Sequence, residues 1–176
     1  MTRKYSFEDL CLMSPADLEG IFKKGVTPDF EKLAGWEFRG YNVTPMAKLM
    51  GIQKFKKGFF HKNNRPFGYN IPVIQNRFWG DWICKPENDD PKRFGFYSVA
   101  EAAQQSVENK EPHALVLNYG DGENSLFDGA FLRDYVVQVD PENPDLYLGK
   151  AYIALGPTRI FSNFFVIERH RESWVK

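Results

Sequence analysis

The feature that most constrains this chain is a succession of short strand-like runs, each closed by a turn signal. The runs are Trp36–Tyr41, Ile52–His61, Gly68–Gln75, Phe78–Cys84, Arg93–Val99, Ala114–Tyr119, Leu132–Asp140, Leu146–Ala154 and Asn163–His170. They are separated by Lys62-Asn63-Asn64-Arg65-Pro66, Pro86-Glu87-Asn88-Asp89-Asp90-Pro91, Gly120-Asp121-Gly122, Pro141-Glu142-Asn143-Pro144 and Gly156-Pro157. Strands of this length and punctuation predict a mainly β fold, a barrel or a sandwich. One interval breaks the rhythm: Ala100–Lys110, rich in Ala, Glu and Gln, reads as a helix or loop and is a candidate lid over one mouth.

Alternation inside the strands favours the barrel. In Leu132–Asp140 one face carries Arg133, Tyr135, Val137 and Val139, the other Leu132, Asp134, Val136 and Gln138. In Leu146–Ala154 the faces are Leu146, Leu148, Lys150, Tyr152 and Tyr147, Gly149, Ala151, Ile153. A sheet with one wet side alternates cleanly. Mixed faces fit a barrel whose interior keeps a cavity with a few polar groups; a helix over the outer face produces the same mixing. Helix starts do precede the strands. Ser14-Pro15 opens a stripe of Leu18, Ile21 and Phe22; Thr27-Pro28-Asp29 opens a turn through Leu33; Thr44-Pro45 opens Met46–Met50.

The 176 residues suit a single domain, 1–176, with a helical segment 1–34 packed on a barrel 35–170. With 16 Phe, 8 Tyr and 4 Trp, the chain has ample material for a core or an aromatic-walled cavity. A net charge of zero argues against a general nucleic-acid binder, whose affinity comes from phosphate neutralisation. No apolar run reaches the ~18 residues of a membrane span. Charge is nevertheless segregated. Lys48, Lys54, Lys56, Lys57, Lys62, Arg65, Arg77 and Lys85 face one acid, Asp81, while residues 101–145 hold Glu101, Glu108, Glu111, Asp121, Glu123, Asp128, Asp134, Asp140, Glu142 and Asp145 against Lys110 and Arg133. Such flanks attract across a fold, stay solvated, or form a basic rim that steers an anionic ligand. Cys11 and Cys84 belong to no paired motif, and the first twelve residues lack a secretory apolar core, so reduced thiols in a cytoplasmic setting are expected.

Two stretches carry a resemblance. Leu33-Ala34-Gly35-Trp36-Glu37-Phe38-Arg39-Gly40 runs a short helix into a Gly/Trp strand. Ala114–Tyr119, Leu132-Arg133-Asp134-Tyr135, Leu148-Gly149-Lys150 and Phe164–Arg169 follow in order. Together they resemble calycin-type (lipocalin-like) β-barrels, in particular uncharacterised bacterial families named for a Gly-x-Trp-x-Gly motif. Aligning Phe38 with the family's Trp restores the final Gly at Gly40. The resemblance implies one antiparallel calycin-like barrel and an Arg of the last strand, here Arg169 or else Arg171, stacked across Trp36.

Chemistry-bearing candidates are few. His61, His113 and His170 lack metal-ligand spacing, so no metal site is expected. Nitrobindin-like barrels hold haem through one histidine; by that resemblance His170 is the candidate, set against an ordinary surface histidine, and otherwise no cofactor is expected. Nucleophile and phosphate-loop motifs are missing. Asp134 stands inside an apolar strand and, beside Arg39, Tyr119 or Tyr152, would serve as an acid/base group; facing outward it is a solubilising charge. Phe55-Lys56-Lys57-Gly58-Phe59-Phe60-His61 interleaves basic and aromatic residues, as a portal for a carboxylate ligand, a base-stacking surface or a half-buried strand with solvated lysines would. The expected function is non-catalytic binding of a small apolar or amphipathic molecule in the barrel, with Trp36, Phe38, Arg39, Phe59, Tyr119, Asp134, Tyr152 and Arg169 as candidate ligand residues. The alternatives are a cofactor-free isomerase, cyclase or decarboxylase in the same cavity, and a filled barrel that binds a protein through its charged flanks.

Overall fold

The computed structural model describes residues 4–122, 124–125, 129–173 and 175, and only the backbone of Met46. Glu123 and Asp128 of the acidic flank, and residues 1–3 of the amino-terminal stretch, lie outside the described residues. Among those described, strands β1 (Trp36–Asn42), β2 (Lys54–Lys62), β3 (Arg65–Pro72), β4 (Phe94–Glu101), β5 (Leu115–Asn118), β6 (Leu132–Gln138), β7 (Leu146–Leu155) and β8 (Thr158–Glu172) form one closed antiparallel barrel. Each strand pairs with the next, and β8 returns to β1 through Asn42↔Phe165 to Trp36↔Glu172. Closure leaves no strand edge to pair with another chain. The β2–β3 hairpin turns at Asn63 and Asn64, both left-handed with φ of 52° and 59°, as a tight two-residue turn requires.

Eight of the nine predicted strand runs occur in the barrel. Phe78–Cys84 does not: apart from a lone bridge at Cys84 it is loop. Its backbone is taken up by Lys54. That buried ammonium donates to Asn76 Oδ1 at 2.6 Å and to the carbonyls of Arg77 at 3.2 Å and Gly80 at 2.5 Å, with Trp82 3.7 Å beneath it. Carbonyls turned toward one cation cannot also run along a strand ladder.

Period-2 alternation sorts the side chains into two cores. Inward from the strands point Phe38, Phe59, Tyr97, Leu117, Val136, Tyr147 and Ile167. Outward point Tyr135, Val137, Leu146, Leu148, Phe164 and Val166, which two amino-terminal helices cover. The first, α1 (Phe7–Leu12), carries a capping box in which Ser6 accepts from the Asp9 N–H and Asp9 accepts from the Ser6 N–H. The second, α2 (Pro15–Phe22), is capped by Ser14 as predicted. Phe7, Leu10, Leu18 and Phe22 are wholly buried beneath them, and burying each such side chain contributes ~1.5–3 kcal/mol. The mixed strand faces therefore have both predicted causes: helices outside and polar groups inside.

One end of the barrel is packed shut. Phe38 meets Phe59 at 5.5 Å and Tyr147 at 5.6 Å, edge to face. The Arg169 guanidinium lies 4.4 Å from the Trp36 ring and 5.6 Å from Phe38, and its Nε reaches Asp145 Oδ1 at 2.7 Å. A bulge in the β1–β8 pairing between Glu37 and Phe38 sets Phe38 opposite Arg169. At the other end the chain crosses between β1 and β2 through a short helix, α3 (Pro45–Leu49). No described helix is long and apolar enough to cross a membrane.

Candidate functional site

The open half of the barrel holds a cavity of about 630 Å³, within the range of small-molecule sites. Its walls include Phe55, Phe94, Leu132, Ala151, Ile153 and Phe165, and α3 lends Ala47 to the rim. Two inward glycines make room for the wall. A Cβ on Gly40 would collide with the Phe55 ring, and one on Gly149 with the Phe165 ring, so both rings lie flat against the neighbouring strand. Flattened rings keep the centre open.

Four polar side chains meet at the floor. Lys57 of β2 and Asp134 of β6 form an ion pair at 2.9 Å, with side chains 3% and 7% exposed. Lys57 also donates to Asn70 Oδ1 at 3.0 Å and to the Tyr119 hydroxyl at 2.5 Å. Tyr119 O–H donates to Asp134 Oδ2 at 3.0 Å; Asn70 Nδ2 donates to the Gly95 carbonyl and to the Tyr119 oxygen, each at 3.1 Å. The rings of Tyr97, Tyr119 and Phe165 stand 4.9–5.3 Å from the Lys57 ammonium. Burial pushes Lys57 below the usual lysine range, against the pull of Asp134. Burial first, then the Asp134 charge, hold the Tyr119 and Tyr97 hydroxyls protonated far into the alkaline range. The cluster is a charge pair supported by hydrogen bonds from Tyr119 and to Asn70, the arrangement that lets charge sit in a barrel interior.

Of the candidates read from sequence, Tyr119 and Asp134 line this cavity. Trp36, Phe38, Phe59 and Arg169 belong to the packed end instead. Arg39 points outward, donating to Glu168 at 2.8 Å and to Glu8 at 3.1 Å and stacking 4.3 Å over Phe7. Tyr152 also faces outward and donates to Glu111 at 2.5 Å. Asp134 thus meets Tyr119 and neither Arg39 nor Tyr152. Lys57 and Asn70 were missed as partners. Lys57 had a signal, since Phe55, Lys57 and Phe59 share a face at period 2; Asn70 had none.

The predicted solvated lysine face does not exist. Lys54, Lys56 and Lys57 are 1–2% exposed, whereas Lys48, Lys62, Arg65, Arg77 and Lys85 of the basic flank are at the surface. Lys56 points outward under a loop, 3.3 Å from Cys84 Sγ. The acidic flank is likewise engaged. Glu108 takes Arg133 at 2.7 Å and Arg159 at 2.6 Å, and Glu111 takes Lys150 at 2.6 Å. These bonds fasten the 100–111 segment along the outer wall of β6–β8, with one short 3₁₀ turn at Ala102–Gln104; none of its residues lines the cavity. It is a clasp on the wall and no lid.

No histidine lines the cavity. His170 sits at the β1–β8 bulge beyond the packed end, where lost hydration and then the cations of Lys56, Arg39 and Arg171 hold its imidazole down to about 4. The residues present do not fit a haem held by His170 inside the barrel. Cys11 and Cys84 are both buried and free, and among the described residues no three His, Cys, Asp or Glu side chains converge as a metal site would need. No protein family model, no curated protein and no solved structure matches this chain.

Proposed function

We propose that the protein is a calycin-like barrel that binds a small apolar or amphipathic molecule in the open half of its interior. The observation that carries this reading is the cavity itself: aromatic and aliphatic walls over a buried polar floor, opening at the α3 end. Apolar wall supplies roughly 25 cal/mol per Å² covered, before the costs of association. Apolar side chains continue onto the surface around the mouth, where Met50 and Ile52 of the α3 connection are 64% and 50% exposed. An entering ligand meets apolar surface before it reaches the interior.

The test is uptake of a neutral apolar fluorophore such as Nile red, with Ala151→Trp filling the cavity from β7. The reading predicts blue-shifted, saturable emission for the native chain and its loss in Ala151→Trp. Emission that survives the substitution, or no uptake at all, contradicts it. A second reading, an enzyme on the same cavity, is favoured by one specific feature, the Asp134–Tyr119 hydrogen bond facing the space a substrate would enter. Tyr119→Phe discriminates between the two. It leaves uptake of the neutral probe Nile red, which needs no partner at the floor, intact under either reading, and removes turnover only in an enzyme.

A further inference from the structure

At the floor of the cavity the polar groups turn toward one another and leave one carboxylate oxygen over. The Lys57 ammonium donates to Asn70 and Tyr119 and is ion-paired with Asp134. The Tyr119 proton goes to Asp134, and the two Asn70 amide protons go to the Gly95 carbonyl and Tyr119. Asp134 meets both partners, the Tyr119 hydroxyl and the Lys57 ammonium, on Oδ2. Its Oδ1 takes none from the described residues and is not sealed off from the cavity, although the residue is only 5% exposed. Higher in the wall the amides are engaged with one another or with backbone, and Lys85 stands exposed at the mouth. Asn163 donates to Asn42 at 2.8 Å, Asn42 to the Ile52 carbonyl at 2.7 Å, and Gln75 to the Lys54 carbonyl at 2.7 Å.

Resting on the cavity-binding reading above, we infer that the ligand carries a neutral hydrogen-bond donor, a hydroxyl on an apolar or aromatic body, and that it sits head-down with that hydroxyl on Asp134 Oδ1. Charge and hydrogen bonding agree on this. Lys57 and Asp134 cancel one another whichever of them holds the shared proton, so the floor presents no free cation to a carboxylate. A carboxylate at the floor would bring a second negative charge beside Oδ1, and the nearest ammonium, Lys57, is already paired with Asp134. An amine cation would meet Lys57 a few ångströms beyond Asp134. An ether or alkane would leave Oδ1 desolvated and unpaired, a penalty that specific sites use to reject ligands lacking the donor. A hydroxyl alone completes the network, through an O–H···O⁻ bond of the stronger, charge-assisted kind. The portal reading of the Phe55–His61 run, in which lysine neutralises a ligand carboxylate, is thereby reversed: the lysine that faces the cavity is already neutralised.

The test uses three probes that share one ring system, 2-naphthol, 2-methoxynaphthalene and 2-naphthoate, titrated calorimetrically into the whole protein at pH 7. Naphthol is expected to bind at least about tenfold more tightly than either of the others. Equal affinities for all three would overturn the donor assignment while leaving apolar binding intact, and naphthoate binding most tightly would overturn the charge argument. Failure of every probe would take down the cavity reading itself. Asp134→Asn leaves Lys57 uncompensated, so the preference should swing to naphthoate; an unchanged order contradicts the proposal. If that variant does not fold, Lys57→Met/Asp134→Leu removes both charges, and in it naphthol should lose its advantage over methoxynaphthalene; a retained advantage would overturn the assignment of the hydroxyl to Asp134.

Discussion

Three consecutive-strand lysines, Lys54, Lys56 and Lys57, are buried in three different ways, and each way leaves a measurable signature. Lys54 is held by neutral carbonyls and the Trp82 face; lost hydration, with Arg39 adding to it against Asp81, brings it down to about 8. For a lysine so lowered, the unfolded chain holds the extra proton between pH 8 and its ordinary value of 10.5, so this group adds stability as pH rises through that window. Carbon-13 dimethylation with NMR titration should show one lysine with a midpoint near 8; midpoints all above 10 would contradict the carbonyl cage. Lys57 depends on Asp134. Asp134→Asn should cost about 3–5 kcal/mol in urea unfolding at pH 7, the usual penalty for orphaning a buried charge. That cost should shrink at higher pH, where Lys57 sheds its proton. The double variant Lys57→Met/Asp134→Leu should recover most of the loss, and a double variant no better than the single would show that the pair is not coupled. At this scale the sequence was partly legible. Parity groups Asp134 with Leu132 and Val136 and Lys57 with Phe55 and Phe59, but does not say which face is the inner one, and Arg39, one residue beyond Phe38, proves to face outward. What a run cannot show is which strand sits opposite, so Asn70 and the Lys57–Asp134 contact had no local trace.

At the scale of elements, punctuation carried most of the information. Asn63-Asn64 and Gly156, at φ 56°, end strands where the chain must enter left-handed backbone, and eight runs lie between such marks. Phe78–Cys84 has the aromatic and β-branched content of a strand, but its fate depends on a lysine more than twenty residues away. The helix α1 was not anticipated, though Ser6-Phe7-Glu8-Asp9 has capping-box spacing; its mixed charges obscured the stripe of Phe7, Leu10 and Cys11. Gly149 illustrates an element shaped by what it lacks. Gly149→Ala drives a methyl into the Phe165 ring. Relieving that clash should cost ~1–3 kcal/mol and swing the ring toward the cavity, so thermal unfolding should fall and Nile red uptake should weaken together. Loss of stability with unaltered uptake would mean that Phe165 does not wall the cavity.

At the scale of the molecule, the barrel divides its work between its ends. Aromatic packing from Phe38 to Tyr147 and the Arg169–Trp36 stack close one end, and the helices α1 and α2 cover part of the outside. That leaves the α3 end to hold an opening without exposing a strand edge. Overall neutrality hides strong internal pairing: Glu108, Glu111 and Asp145 of the acidic stretch meet Arg133, Arg159, Lys150 and Arg169, mostly from β7 and β8, and Asp134 reaches across the interior to Lys57 of the basic stretch. Mixed strand faces pointed to a barrel with polar groups inside, whereas the division into a packed and an open half follows from side-chain volumes that no strand reveals alone. The most direct measurement is a nitrogen-15 NMR titration with 2-naphthol. Shifts confined to inward positions of the open half, including Asp134, Ala151 and Phe165, are the predicted result. Shifts centred on the outer wall at Val137 and Phe164, or no shifts at all, would contradict a ligand inside the barrel.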